Sequence, residues 1–201
     1  SDSSDAFVLL NELTANNLSV TNVNRIRDVI SPSPITISGQ TDLQATSGID
    51  LIQSATHTFS GLVNLESNSI SFYAIGPLQL GAVNTTGGSD NLKNYISVDS
   101  GSLELSDNVT TAGSSDLRLK AQTTMNQTGG VLITDVLTLE GDNNGETTAF
   151  LHTDNDVNTP ETYANGSMGL IVLIDIDDLA IGKLIMDIAT LRAPDIIITE
   201  D

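Results

Sequence analysis

The sequence predicts an all-β chain built as a stack of short parallel coils, a β-solenoid, and three observations carry that prediction. A Leu-x-Leu unit recurs at Leu78/Leu80, Leu103/Leu105, Leu117/Leu119 and Leu137/Leu139, each beside a turn rich in Gly, Asn, Asp or Ser. Alternation puts both leucines of a unit on one face and the residue between them on the other, the pattern of a strand with one buried side. Such a strand buries that face only when copies of it stack. Aromatic residues make up only 3% of the chain and Trp is absent, so the core is filled by Leu, Ile, Val and Ala in thin layers.

Taken in order, the chain opens with the acidic, small residues Ser1 to Asp5, followed by the apolar segment AFVLLNEL from Ala6 to Leu13. That segment reads as a strand or a cap. LSVTNVNRIRDVI follows with partial alternation and ends at SPSP, where Pro32 and Pro34 force their predecessors into extended geometry. Residues 1–34 are therefore expected to be an entry, a cap or a donated segment, and 35–201 the repeats. Within the repeats, ITISG, SGIDLIQSA, HTFSGLVNLES and SISFYAIG alternate and are bounded by Gly, Ser or Asn. Taking Ile49/Leu51, Val63/Leu65 and the four Leu-x-Leu units as successive coils gives steps of 14, 15, 25, 14 and 20 residues. Corners are expected at Asn84–Gly88, Asp99–Gly101, Ala112–Ser115 and Thr128–Gly130, because sharp turns need residues that tolerate positive φ. From Gly141 to Ala164 the polar GDNNGETT and TDNDVNTPET read as a loop excursion. Strands resume in GLIVLIDI, DLAI, KLIMDI and DIIITE; a helix over 179–191 is the rival reading, weakened by Gly182.

Seven Lys plus Arg against twenty-six Asp plus Glu give a net charge of −19, which argues against nucleic acid or an anionic membrane as a partner. Without Cys the fold has no disulfide, thiolate metal site or thiol nucleophile. The apolar run from Gly169 to Ile176 is interrupted by Asp175 and followed by Asp177 and Asp178, so no membrane-inserted segment is expected. The opening SDSSD has no basic and apolar leader, a form that a mature secreted chain shares.

The runs LQLGAVNTTGG, ISVDSGSLELSDNVTTAG and DLRLKAQTTMNQTGGVLITDVLTLEG, with FSGLVNLESNSISFYAIGPLQL before them, resemble the repeats of filamentous-haemagglutinin-type exoproteins. These are the large secreted adhesins of bacterial two-partner secretion. The resemblance implies a right-handed parallel β-helix of Leu-x-Leu-x-Ala-type strands and Gly-rich corners. It also implies a secreted protein of the bacterial cell surface with a structural or adhesive role; no enzymatic activity is expected, because the candidate carboxylates Asp175, Asp177 and Asp178 have no catalytic support elsewhere in the sequence. Cell-surface or host glycans are then candidate partners. A stack of parallel coils has unpaired strand edges at its ends, which makes end-to-end self-association into a filament a second expectation. The apolar residues Ala6, Phe7, Val8, Leu9 and Leu10 are the candidate self-association segment.

Two groups of carboxylates are candidates for chemistry. Asp142, Asn144, Glu146, Asp154 and Asp156 supply the hard oxygen ligands that calcium takes. The series Asp154-x-Asp156-x-Asn158 opens like a calcium loop but continues with Thr159 and Asn165 where such a loop needs Gly and Glu, so a solvated polar loop stands beside the metal reading. Calcium is the one cofactor the sequence offers. Asp175, Asp177 and Asp178 are the alternative acid and base of a carbohydrate-active enzyme on a β-helix, set against three carboxylates that merely solvate an outer face. His57 and His152 have no partnering metal pattern and read as ordinary strand or loop residues.

Overall fold

The computed structural model describes residues 7–29, 34–52, 56–87, 93–113, 115–141, 146–162, 168–176, 179–181, 186–193 and 196–198. Its strands stack in parallel as a β-solenoid of about six turns, and there is no helix among the described residues. The first circuit is made by β1 (Phe7–Leu10), β2 (Leu13–Ala15) and the opening of β3 (Leu18–Asp28). The end of β3 then lies on β1, β4 (Ile35–Ile37) on β2, and the start of β5 (Thr41–Leu51) on the start of β3. This defines three faces, A, B and C, which the chain visits in turn.

The end of β5, β6 (Thr58–Phe59) and β7 (Leu62–Ser67) continue faces A, B and C. β8 (Ile70–Ile75) stacks on β5 in face A, and β9 (Leu78–Thr85) stacks on β7. In the next circuit β10 (Lys93–Asp99) lies on β8, while β11 (Leu103–Leu105) and β12 (Val109–Thr111) lie on the start and end of β9. β13 (Asp116–Lys120), β14 (Thr124–Gln127) and the start of β15 (Leu132–Glu140) repeat the same three positions. The end of β15 lies on β13, and β16 (Thr148–Thr162) runs from a partner in β14 to partners in β15. β17 (Met168–Asp175) pairs with β16, β19 (Met186–Arg192) with β17, and β18 (Leu179–Ile181) with β20 (Ile196–Ile198).

The core is a set of ladders at the interstrand spacing of about 4.8 Å. On face A, Ile26, Ile49 and Ile70 stack in register, beside Leu51, Phe72, Ile96, Leu119 and Leu139. On face C the ladder is Leu43, Leu65, Val83, Val109 and Leu132. Leu103, Leu105, Leu117, Leu119, Leu137 and Leu139 are all inward and at most 1% exposed, as the alternation predicts. Each such side chain contributes about 1.5–3 kcal/mol by leaving water.

Glycine is required where corners stack on corners. A Cβ on Gly61 would meet the backbone of Gly39, and one on Gly101 the backbone of Gly76, which itself has φ +82°. No other residue fits that approach.

Several expectations are corrected. The 14-residue steps connect two faces of one circuit and not successive coils: Ile49 pairs with Ile70, and Leu103 with Met125. Partners in successive coils lie 22 residues apart at Gln44 and Glu66 and 24 apart at Ile70 and Asn94. A three-faced circuit turns an apolar pair inward on every face, so the units recur more often than the coils. The solenoid also begins ahead of the proline break, since residues 7–28 already form paired coil strands. Much of the expected polar excursion is strand: Ala149, Leu151 and Val157 are buried inward residues of β16, with Phe150 and Asp156 at outward positions. The rival helix over 179–191 gives way to β18 and β19.

Candidate functional site

The outward side chains of the three faces differ sharply in charge. Arg25, Arg27, Arg118 and Lys120 all lie on face A, on β3 and β13. Faces B and C carry Asp42, Glu66, Glu104 and Asp156 on their strands, with no Lys or Arg among the described residues from β4 to β16 on those two faces.

On face A each of two carboxylates is held by two cations. Asp50 lies 3.2 Å from Arg25 and 3.3 Å from Arg27. Glu140 is bound by Arg118, whose Nε donates at 2.8 Å, and lies 3.1 Å from Lys120. The Arg118 guanidinium also sits over the ring of Tyr95, 4.9 Å from its centre. These contacts follow from the register, because Lys120 stands opposite Glu140 and Arg118 opposite Tyr95. Tyr73 donates its hydroxyl to Asp99 at 3.1 Å. Burial, then the hydrogen bond to Asp99 and the nearby carboxylate charge, push its phenol up to about 12, so it remains a donor at neutral pH.

On face C a shallow groove holds about 250 Å³ between Thr21, Asp42, Gln44, Asn64, Glu66 and Asn84. Its carboxylates are bridged by amides: Asn64 and Gln40 donate to Asp42 at 2.7 and 3.0 Å, and Gln44 donates to Glu66 at 3.0 Å. The groove is a hydrogen-bonding surface with no cation in its lining.

The residues predicted from sequence are scattered. Asp142 and Asn144 lie outside the described residues, as do Asp177, Asp178 and Ala6, and so does the side chain of Asp154. Glu146 is exposed just before β16, and Asp156 lies within β16 opposite Ile133. No group of three or more potential metal ligands occurs among the described residues. Asp175 does not solvate an outer face: it is 5% exposed, and its carboxylate accepts the Val157 N–H at 2.8 Å. Phe7 and Leu9 point outward at 66% and 53% exposure, whereas Leu10 is buried and Val8 packs against the core.

Sequence reasoning missed the buried polar groups. His57 and Asp28 form a fully buried pair, with Nε2 2.9 Å from the carboxylate. The other nitrogen, Nδ1, accepts the N–H of Ile35 at 3.2 Å, which assigns the ring proton to Nε2. Asn94 accepts the N–H of Ile70 at 3.0 Å and donates to the Asp116 carbonyl. Gln127 and Asn155 bond each other twice, at 2.8 and 3.1 Å, and Asn155 also accepts the N–H of Leu132. Each group serves a backbone amide where a strand starts, so its signal is one polar residue at an inward position.

No family model, no curated protein and no solved structure matches this chain. No helix among the described residues is long and apolar enough to cross a membrane.

Proposed function

We propose that this chain is an extracellular structural protein of the bacterial cell surface, a subunit of a filament or a segment of a secreted adhesin, which works through its long outer faces. The observation that carries the reading is the end of the stack. Among the described strands β1 is the outermost of the main sheet and pairs with β3, and its other edge presents the backbone donors and acceptors to which a further coil adds. Its outward Phe7 and Leu9 remain exposed. A neighbouring copy that supplies the next coil pairs that edge and sets its own outward row beside Phe7 and Leu9, and because such a contact joins head to tail it repeats without closing. The resemblance to secreted adhesin repeats supports a surface location, with glycans as the class of ligand for the outer faces.

The test is electron microscopy of the purified protein beside a Phe7→Lys/Leu9→Lys variant, in which edge lysines oppose pairing without disturbing buried residues. Open-ended filaments are expected from the wild type and short particles from the variant. A wild type that stays as single particles at high concentration, or a variant that polymerises equally well, overturns the filament reading.

A further inference from the structure

We infer that face A is also a lateral docking surface for a second copy of the same chain, packed side by side about a twofold axis. It meets growth at the end of the stack only at β1, whose outward Phe7 and Leu9 lie on the same face as Arg25 and Arg27. A molecule of net charge −19 repels its own copies, and the repulsion is strongest where outward carboxylates have no cations beside them, as on faces B and C. Face A is the exception. Its cations Arg25, Arg27, Arg118 and Lys120 are paired with Asp50 and Glu140 and share the face with Asp99, Asp116 and Glu161, so it is near electrical balance and does not act as a hook for a free anion. Tyr73, Tyr95 and Arg118, residue types that protein interfaces concentrate, stand together on its outer surface. Two copies meeting through this face avoid the charge penalty that faces B and C impose.

The size of the face sets the strength. The run β1-β3-β5-β8-β10-β13-β15-β16 at about 4.8 Å per strand is about 34 Å long, and five residues at about 3.3 Å make it about 16 Å wide. That is about 550 Å² on each copy, or about 1,100 Å² in all, at the low end of specific interfaces. An interface of that size fits a weak, reversible dimer.

The experiment is sedimentation analysis of the whole chain over a concentration series at physiological salt. Arg27→Gln/Lys120→Gln removes one of two cations from each carboxylate, leaving Arg25 with Asp50 and Arg118 with Glu140. The control is Thr21→Asp/Asn84→Asp, which makes the same change in net charge at exposed positions of face C. Circular dichroism checks that both variants keep the strand signal. The wild type is expected to dimerise, the face A variant to dimerise at least about tenfold more weakly, and the control to change by less than about threefold. Equal weakening of both variants means that net charge alone governs association and overturns the inference, as does a wild type that is monomeric throughout. Head-to-tail chains that form as readily in the face A variant as in the wild type, without closed dimers, remove this inference and leave the filament reading standing. Closed dimers without chains do the reverse.

Discussion

The start of β4 and the start of β15 present the same backbone problem and meet it with different chemistry. At β4 the Ile35 N–H is accepted by a histidine whose other nitrogen faces a buried carboxylate, all of it sealed from solvent. At β15 the Leu132 N–H is accepted by Asn155, which is held by a second neutral amide, Gln127. In both places the acceptor comes from the coil that follows, so coil stacking fastens the corners as well as the strands. The difference teaches that the fold fixes where an acceptor is needed and leaves its identity open. It also means that the amino-terminal corner concentrates more energy in one contact, because a buried carboxylate deprived of a donor costs more than a buried amide deprived of one.

The largest expected effect follows from that asymmetry. Replacing His57 by Leu keeps the volume but removes both a donor to Asp28 and the acceptor of the Ile35 N–H, and is expected to destabilise the protein by about 3–5 kcal/mol. His57→Asn keeps an acceptor of the kind that Asn94 provides at Ile70 and is expected to cost about 1–3 kcal/mol. Urea unfolding followed by circular dichroism measures both. Equal costs for the two substitutions would show that His57 acts by packing against Phe59 and not through its nitrogens.

At the neutral corner the expected effect is smaller. Asn155→Ala leaves the Leu132 N–H and one side of Gln127 unmet, for about 1–3 kcal/mol. Because Gln127 and Asn155 bond each other, the double substitution with Gln127→Ala is expected to cost less than the sum of the two single ones. Strict additivity in that double-mutant cycle contradicts the paired amides.

The fold class was legible in the sequence because it rests on alternation, which Leu103 to Leu139 display plainly and which the inward position of every one of those leucines matches. Coil length was less legible. Ile49/Leu51 and Val63/Leu65 look like successive repeats, yet they are two faces of one circuit, and sequence alone does not separate a face from a coil. The polar stretch around β16 hid its strand because its inward row holds Asn155 beside Val157, so hydropathy falls where burial does not. His57 and Asp28 left no periodic trace, since the two lie 29 residues apart and meet only through stacking. The charge difference between face A and the other two faces was present in the sequence, but it emerges only once the circuit assigns each residue to a face.

The smallest expected effect concerns Asp175, where the comparison between carboxylate and amide can be made at one position. Asp175 stands in register with Asn155 one coil earlier and accepts the Val157 N–H much as Asn155 accepts that of Leu132. Replacing it by Asn keeps an oxygen acceptor of nearly the same shape. A neutral acceptor forms a weaker hydrogen bond than a carboxylate, a loss of about 1 kcal/mol. It also removes the cost of holding a charge at a site that is 5% exposed, which offsets much of that loss. The net change on unfolding by urea is expected to be under about 1 kcal/mol. Asp175→Ala, which supplies no acceptor, is expected to cost about 1–3 kcal/mol. If the Asn substitution costs as much as the Ala one, the charge and not the acceptor is what the site requires, and the equivalence drawn between the two corners fails.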